Sequence, residues 1–143
     1  MKLAVLVSVC AIILSFSQEQ PILEIEISNV RNHNGTVLIS VCARPEEYPY
    51  HPFRTYEVSK DSLCDGKLIK VIGDLQPGTY AIALLDDENR SGEMEYNRLG
   101  IPLEGFAFAN NVKPFLSRPD YDRCLFTIKP GINRMHLIVR YKN

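Results

Sequence analysis

Leu23, Ile25 and Ile27 alternate with Glu24, Glu26 and Ser28, the two-residue period of a strand with one face in a core and the other in water. A β-branched run from Thr36 to Val41 follows Asn34-Gly35. In that pair Gly accepts a positive φ without a Cβ clash, and Asn tolerates it better than most residues. The pattern predicts a hairpin over Ile22 to Val41 with its tip at Asn32 to Gly35. Leu68 to Ile72 and Thr79 to Leu85 also have strand composition, with Pro77-Gly78 marking the bend between them. Tyr80 lies just past that bend, where its ring enters the core while its hydroxyl reaches back to loop backbone. Cys124 to Ile128 and Met135 to Tyr141 close the pattern on either side of Pro130-Gly131-Ile132-Asn133. Phe53 to Val58 or Ala107 to Val112 would add a further strand. No segment carries a long helical period with caps at both ends. The expected fold is all-β, an antiparallel β-sandwich of about seven strands with a transthyretin-like (prealbumin-like) Greek key.

The first residues follow a different rule. Lys2 precedes an apolar run from Leu3 to Leu14, and Ser15 and Ser17 stand before Gln18. That is the layout of a secretory signal peptide, predicted over residues 1–17, with a single sandwich domain over 18–143. The run is too short for a membrane-spanning helix, so no stable membrane insertion is expected. Cys10 lies inside the run rather than at its end, which argues against a lipid-attachment cysteine. The whole chain of 143 residues is 45% hydrophobic with a formal charge of -1, enough apolar content for one core. Removal of Lys2 leaves fifteen basic residues against seventeen acidic. This balance gives no reason to expect nucleic acid as a partner. The expected location is secreted or periplasmic, an oxidising setting in which two of Cys42, Cys64 and Cys124 can pair. Spacing alone does not choose among the three pairs; Cys42 and Cys64 flank a long polar excursion, and closing it would restrict the unfolded chain. No CxxC occurs, so neither a thioredoxin-like centre nor a zinc knot is indicated.

Candidate chemistry concentrates in LLDDENRSGEMEYNRLG, Leu84 to Gly100. Counted from Asp87, oxygen-bearing side chains fall at positions one, three and five and Gly92 at six, a spacing that suits calcium. The position of the bidentate Glu of an EF-hand is occupied by Arg98, which excludes that cage. A looser calcium loop would use Asp86, Asp87, Asn89, Ser91, Glu93 and Glu95. The alternative is a polar connector whose Asp and Asn side chains bond their own loop backbone. A second candidate is a shallow ligand groove beneath two apolar connections. One carries Tyr48, Tyr50 and Phe53 among Pro45, Pro49 and Pro52; the other carries Phe106, Phe108 and Asn110. Asn110 and Asn111 are expected to bond loop backbone. Enzyme signatures are lacking: there is no GxSxG, P-loop or HExxH. His33, His51 and His136 are dispersed, and Glu93 with Glu95 does not make a carboxylate pair across a cleft. Cys64 has no neighbouring base in the sequence.

Several stretches resemble one family. NVRNHNG at Asn29 to Gly35, GDLQPGTYAIALLDDEN at Gly73 to Asn89, SGEMEYNRLGIPLEGFAFANN at Ser91 to Asn111 and GINRMHLIVRY at Gly131 to Tyr141 are similar to an uncharacterised exported bacterial protein family, domain-of-unknown-function family 2141. The Pro-Gly-Thr-Tyr bend also resembles those of transthyretin-like and collagen-adhesin-like sandwich modules. The family resemblance implies an exported β-sandwich. Members often carry His at the position of Leu85, so a role for that His does not transfer. The expected function is a noncatalytic binding or surface-associated module, monomeric or weakly self-associating, with a protein, peptide or glycan ligand and no cofactor other than the calcium alternative. The rivals are a small extracytoplasmic hydrolase and a calcium-stabilised structural domain.

Overall fold

The computed structural model describes residues 19–142, and eight strands are formed among these described residues; the signal-peptide expectation lies outside them. The strands are β1 (Ile22–Ser28), β2 (Thr36–Cys42), β3 (Arg54–Ser59), β4 (Leu68–Ile72), β5 (Gly78–Asp87), β6 (Gly105–Phe108), β7 (Leu125–Ile128) and β8 (Ile132–Ile138). One sheet has the order β4-β1-β8. The other runs β3-β2-β5-β6, with β7 also paired to β5. Both segments held in reserve, Phe53 to Val58 and Ala107 to Val112, contribute strands, β3 and β6.

The alternation seen in the sequence builds the core between the sheets. Leu23, Ile25 and Ile27 of β1 and Met135 and Leu137 of β8 face Val37, Ile39 and Val41 of β2 and Ile82 and Leu84 of β5, all buried. Each of the larger of these side chains contributes roughly 1.5–3 kcal/mol on leaving water. Tyr80 anchors the bend as expected: its hydroxyl donates to the Gln76 carbonyl at 2.9 Å, and its ring packs against the core.

Two expectations about pairing are corrected. β1 and β2 form no hairpin: β1 bonds β4 and β8, while β2 bonds β3 and β5. Residues Asn29 to Gly35 instead carry the chain across the roughly 10 Å between facing sheets. The bends between β4 and β5 and between β7 and β8 likewise change sheet. Alternation reports which face is buried, and two buried faces can lie opposite one another as readily as side by side. The sheets are also not purely antiparallel, because β1 and β8 run parallel, with Ile25 level with Met135. Among the described residues no helix is long and apolar enough to cross a membrane.

The crossing at Gly35 is tight. Gly35 has φ +68°, and a Cβ there would fall 1.9 Å from the Asp87 carbonyl oxygen. Only glycine serves at a left-handed position this close to another backbone.

Candidate functional site

β5 carries the centre of interest. Adjacent residues of a strand point to opposite faces, so Asp86 follows Ile82 and Leu84 into the core and Asp87 follows Ala81 and Ala83 to the outer face of the five-stranded sheet. This parting disperses the proposed calcium ligands. Asp86 is fully buried and paired with Lys60. Both carboxylate oxygens of Asp87 are occupied by loop amides, Ser91 at 2.9 Å and Gly92 at 2.8 Å. Asn89 donates to Glu95 at 2.8 Å, and the Ser91 hydroxyl donates to the Glu93 carbonyl at 2.9 Å. Among the described residues no group of three or more His, Cys, Asp or Glu side chains is placed to hold a metal. The acidic loop has the geometry of a self-bonded connector from β5 to β6.

Glu104 fixes the far end of that connector. One of its oxygens accepts the Glu88 amide at 3.0 Å, and the other is buried without a hydrogen-bond partner among the described residues. Burial raises its pKa; the Glu88 amide opposes the shift, and the nearby Asp87 carboxylate adds to it. Glu88 shows the reverse. Paired with Arg31 at 2.6 Å, its carboxylate is held below the usual range, chiefly by that hydrogen bond.

The inward-facing Asp86 belongs to a network that the sequence did not reveal. Lys60, just beyond β3, contacts one carboxylate oxygen and donates to the Asn34 carbonyl at 2.6 Å. Tyr141 donates its hydroxyl to the other carboxylate oxygen. Burial and the Asp86 bond together raise the pKa of that phenol. The Arg31 guanidinium lies 4.4 Å from the centroid of the Tyr141 ring, within cation–π range. Four segments distant in sequence, at Arg31 to Asn34, Lys60, Asp86 and Tyr141, therefore meet at one end of the sandwich. The only early signal was parity: Lys60 continues the inward series of Val58, and Asp86 that of Ile82 and Leu84.

On the outer face of the five-stranded sheet lies a groove of about 510 Å³. Its floor is made by Ser40 of β2, Ala83 and Leu85 of β5, and Phe106 and Phe108 of β6. Walls come from Pro49 to Pro52, from Gly92 to Tyr96 with Pro102, and from Pro114 to Arg118. Of the residues proposed for such a groove, Tyr50, Phe106 and Phe108 line it. Tyr48 lies beneath, with its ring against Phe108 and Tyr121. Phe53 stacks on Tyr80 at 5.7 Å. Asn110 is occupied by the Arg123 and Leu125 carbonyls at 3.2 and 2.9 Å, and Asn111 bonds the backbone of His136 and Ile138. Met94, Tyr96 and Arg118 are lining residues that sequence reasoning missed. Arg118 spans the Tyr50 and Tyr48 rings at 4.9 and 6.0 Å and donates to the Tyr50 hydroxyl at 3.3 Å.

The Cys42–Cys64 disulfide considered as one possible pairing is not formed; Cys42, Cys64 and Cys124 are all free. Its absence follows from register. β3 retraces β2, with Val41 level with Arg54 and Thr36 with Ser59, so Cys42 and Cys64 lie toward opposite ends of the pair. Cys64 is exposed, whereas Cys42 and Cys124 are buried beneath the groove. Burial pushes the Cys42 thiol up to about 11 and raises that of Cys124, which meets the Tyr48 hydroxyl at 3.3 Å. Thiols so placed are poor nucleophiles.

Comparison with curated proteins and with solved structures found no match. A family model described as "Uncharacterized protein conserved in bacteria (DUF2141)" matches residues 25–136, from the middle of β1 into β8, and the chain belongs to that family.

Proposed function

We propose that the protein is an exported, noncatalytic binding module, acting in the periplasm or outside the cell, that takes its ligand in the groove above β2, β5 and β6. The groove itself is the observation that carries this reading. Its volume falls within the roughly 300–1,000 Å³ of small-ligand sites, and it combines aromatic, proline and methionine surfaces with few polar groups. Tyr50 and Tyr96 stand exposed beside it, and Leu116 on its wall is 90% exposed. Such a surface suits the apolar face of a peptide or the ring face of a sugar, with Arg118 and Glu93 supplying orientation. The leader-like first seventeen residues support export. A transthyretin-like Greek key is the scaffold of this proposal. The orders β4-β1-β8 and β3-β2-β5, with neighbours in sequence crossing between sheets, favour it.

The hydrolase alternative receives less support. Among the described residues the side chains of His51 and Glu93 make no hydrogen bond to one another or to a nucleophile, and Arg118 is engaged by two tyrosines. Nuclear magnetic resonance titration with a panel of extended peptides and oligosaccharides tests the proposal. The expected result is a set of shifts confined to Tyr50, Met94, Tyr96 and Arg118, weakened at least tenfold in Tyr50→Ala and Tyr96→Ala. Shifts confined to the outer face of the three-stranded sheet, or turnover of a panel member, would overturn it.

A further inference from the structure

Lys60 and Asp86 are an unusual pair. Their side chains are 1% and 0% exposed and in direct contact. No solvent reaches them to screen either charge. Taking two ions out of water is costly, and only direct contact between them offsets that cost. The contact also holds a nitrogen and a carboxyl group together, the two reactants of amide formation. We propose that Lys60 and Asp86 condense into an intramolecular isopeptide bond.

The surroundings fit each part of the step. The Asn34 carbonyl accepts a hydrogen from the Lys60 nitrogen at 2.6 Å, which turns the remaining face of the nitrogen toward Asp86. Tyr141 donates to Oδ2, the oxygen on which negative charge collects as the nitrogen adds to Cγ, and a donor placed there stabilises the tetrahedral intermediate. Oδ1, on the Lys60 side, is the leaving oxygen. The Nζ–Cγ bond forms and the Cγ–Oδ1 bond breaks. Oδ1 departs as water with two of the three ammonium hydrogens, while the third stays on the amide nitrogen. One positive and one negative charge disappear together, so no other reactant is needed. Fixed contact between the partners supplies the proximity that makes such a condensation fast relative to free amine and acid.

The bond has a place in the fold. Lys60 follows the edge strand β3 and Asp86 lies in β5, with β2 hydrogen-bonded between them. An amide here ties edge to centre without relying on the β2 ladder. It would serve where cysteine does not, since the three described cysteines are unpaired.

Intact mass of the denatured full chain is the primary test, with tryptic mapping to locate the change. The expected mass is lighter by one water than the sequence of the isolated form requires. Trypsin then fails to cut after Lys60 and yields a branched peptide joining residues 55–67 to residues 71–90. Lys60→Arg, which keeps a cation beside Asp86 but favours no amide, stands at full mass with the two peptides separate. Tyr141→Phe lowers the cross-linked fraction of freshly folded protein severalfold; an unchanged fraction would overturn the part assigned to the phenol. Wild-type protein at full mass, or lighter by one water with the two peptides unlinked, would overturn the proposal. Because wild-type protein alone decides, poor folding of a variant does not blunt the result.

Discussion

Gly105 stands level with Asp86 across β5 and β6, and its missing side chain is what lets Tyr141 reach that carboxylate. A Cβ at this position would lie 2.4 Å from Tyr141 Cε1 and 2.6 Å from Val139 Cγ1. Its φ is outside the left-handed region, so Gly105→Ala is a steric perturbation free of backbone strain. The Val139–Tyr141 segment cannot simply retreat, because Arg140 exchanges two backbone hydrogen bonds with Phe106, at 2.8 and 3.0 Å. Three responses compete. Compressing the packing costs about 1–3 kcal/mol. Peeling the segment away forfeits two neutral hydrogen bonds at about 0.5–1.5 kcal/mol each. Pulling Tyr141 off Asp86 loses a buried hydrogen bond, about 0.5–1.5 kcal/mol to an amide oxygen and about 1.5–3 kcal/mol to a carboxylate. The chain follows the cheapest mixture, so the expected loss is about 2 kcal/mol, or a fall in melting temperature of roughly 7 °C for a domain of this size. The chain has no Trp, so urea unfolding is best followed by circular dichroism, comparing midpoints at fixed slope. Gly73→Ala is the control: its Cβ would meet nothing within 4 Å, and it should change stability by less than about 0.5 kcal/mol. If Gly105→Ala costs no more than Gly73→Ala, the C-terminal segment is not clamped over Asp86 as described.

Glu104→Gln tests the unpartnered carboxylate oxygen. A folded-state pKa raised above the unfolded value means that stability is fully present below the unfolded pKa and is lost as pH rises through the folded pKa. The variant should therefore match wild type near pH 4 and exceed it by about 1 kcal/mol at neutral pH; an equal gap in urea midpoint at both pH values would refute this. Arg31→Ala tests the opposite sign. Arg31 depresses the Glu88 pKa, so its contribution is present above the unfolded carboxylate value and disappears as pH falls through the folded one. A loss of about 0.5–1 kcal/mol at pH 7 for this half-exposed pair, absent in strong acid, is expected from the same titrations. Leu137→Ala, at a fully buried core position, should cost about 3 kcal/mol by leaving a cavity. Ile69→Ala, at a position 70% exposed, should cost far less, and equal losses in thermal unfolding would contradict the assigned core.

The strands were legible because alternation is local: each of β1, β2 and β8 shows its buried face within seven residues. Their partners were not, because Asn34-Gly35 and Pro77-Gly78 permit a reversal without stating whether the returning strand pairs alongside or crosses over. Gly35 is the instructive case. Its positive φ was legible, but its closest neighbour is the Asp87 carbonyl rather than the ladder of a two-residue hairpin. Lys60 was hidden for another reason. In VSKDSLCDG it sits among turn residues, and nothing local distinguishes a lysine that ends in water from one that ends on a buried aspartate. For Asp86, the acidic composition of DDEN obscured the period-two rule that separates it from Asp87. The groove was partly visible through Tyr50, Phe106 and Phe108. Met94, Tyr96 and Arg118 came from loops, whose fold depends on bonds such as Leu103 to Glu95 that carry no sequence period.

The two faces of β5 connect the groove with the buried pair. Ile82 and Leu84 supply core on one face, and Asp86 at the end of that series meets Lys60. Ala83 on the other face is small, which leaves depth above the sheet between Ser40 of β2 and Phe108 of β6. A binding surface built on the outside of a sheet is only as well defined as the strands beneath it. Here β3, which contributes Thr55 to the groove, is an edge strand with β2 as its single partner among the described residues. Edge strands are where sheets open most readily. A link from the end of β3 to β5 restrains the opening that would deform the groove floor. Changes at Lys60 should therefore reach the groove without touching it. Amide exchange of β3 in Lys60→Arg should quicken relative to β2 and β5, and ligand-induced shifts at Tyr50 should broaden. Exchange in β3 that matches wild type would separate the two features and leave the buried pair as a stabiliser of the sandwich end alone.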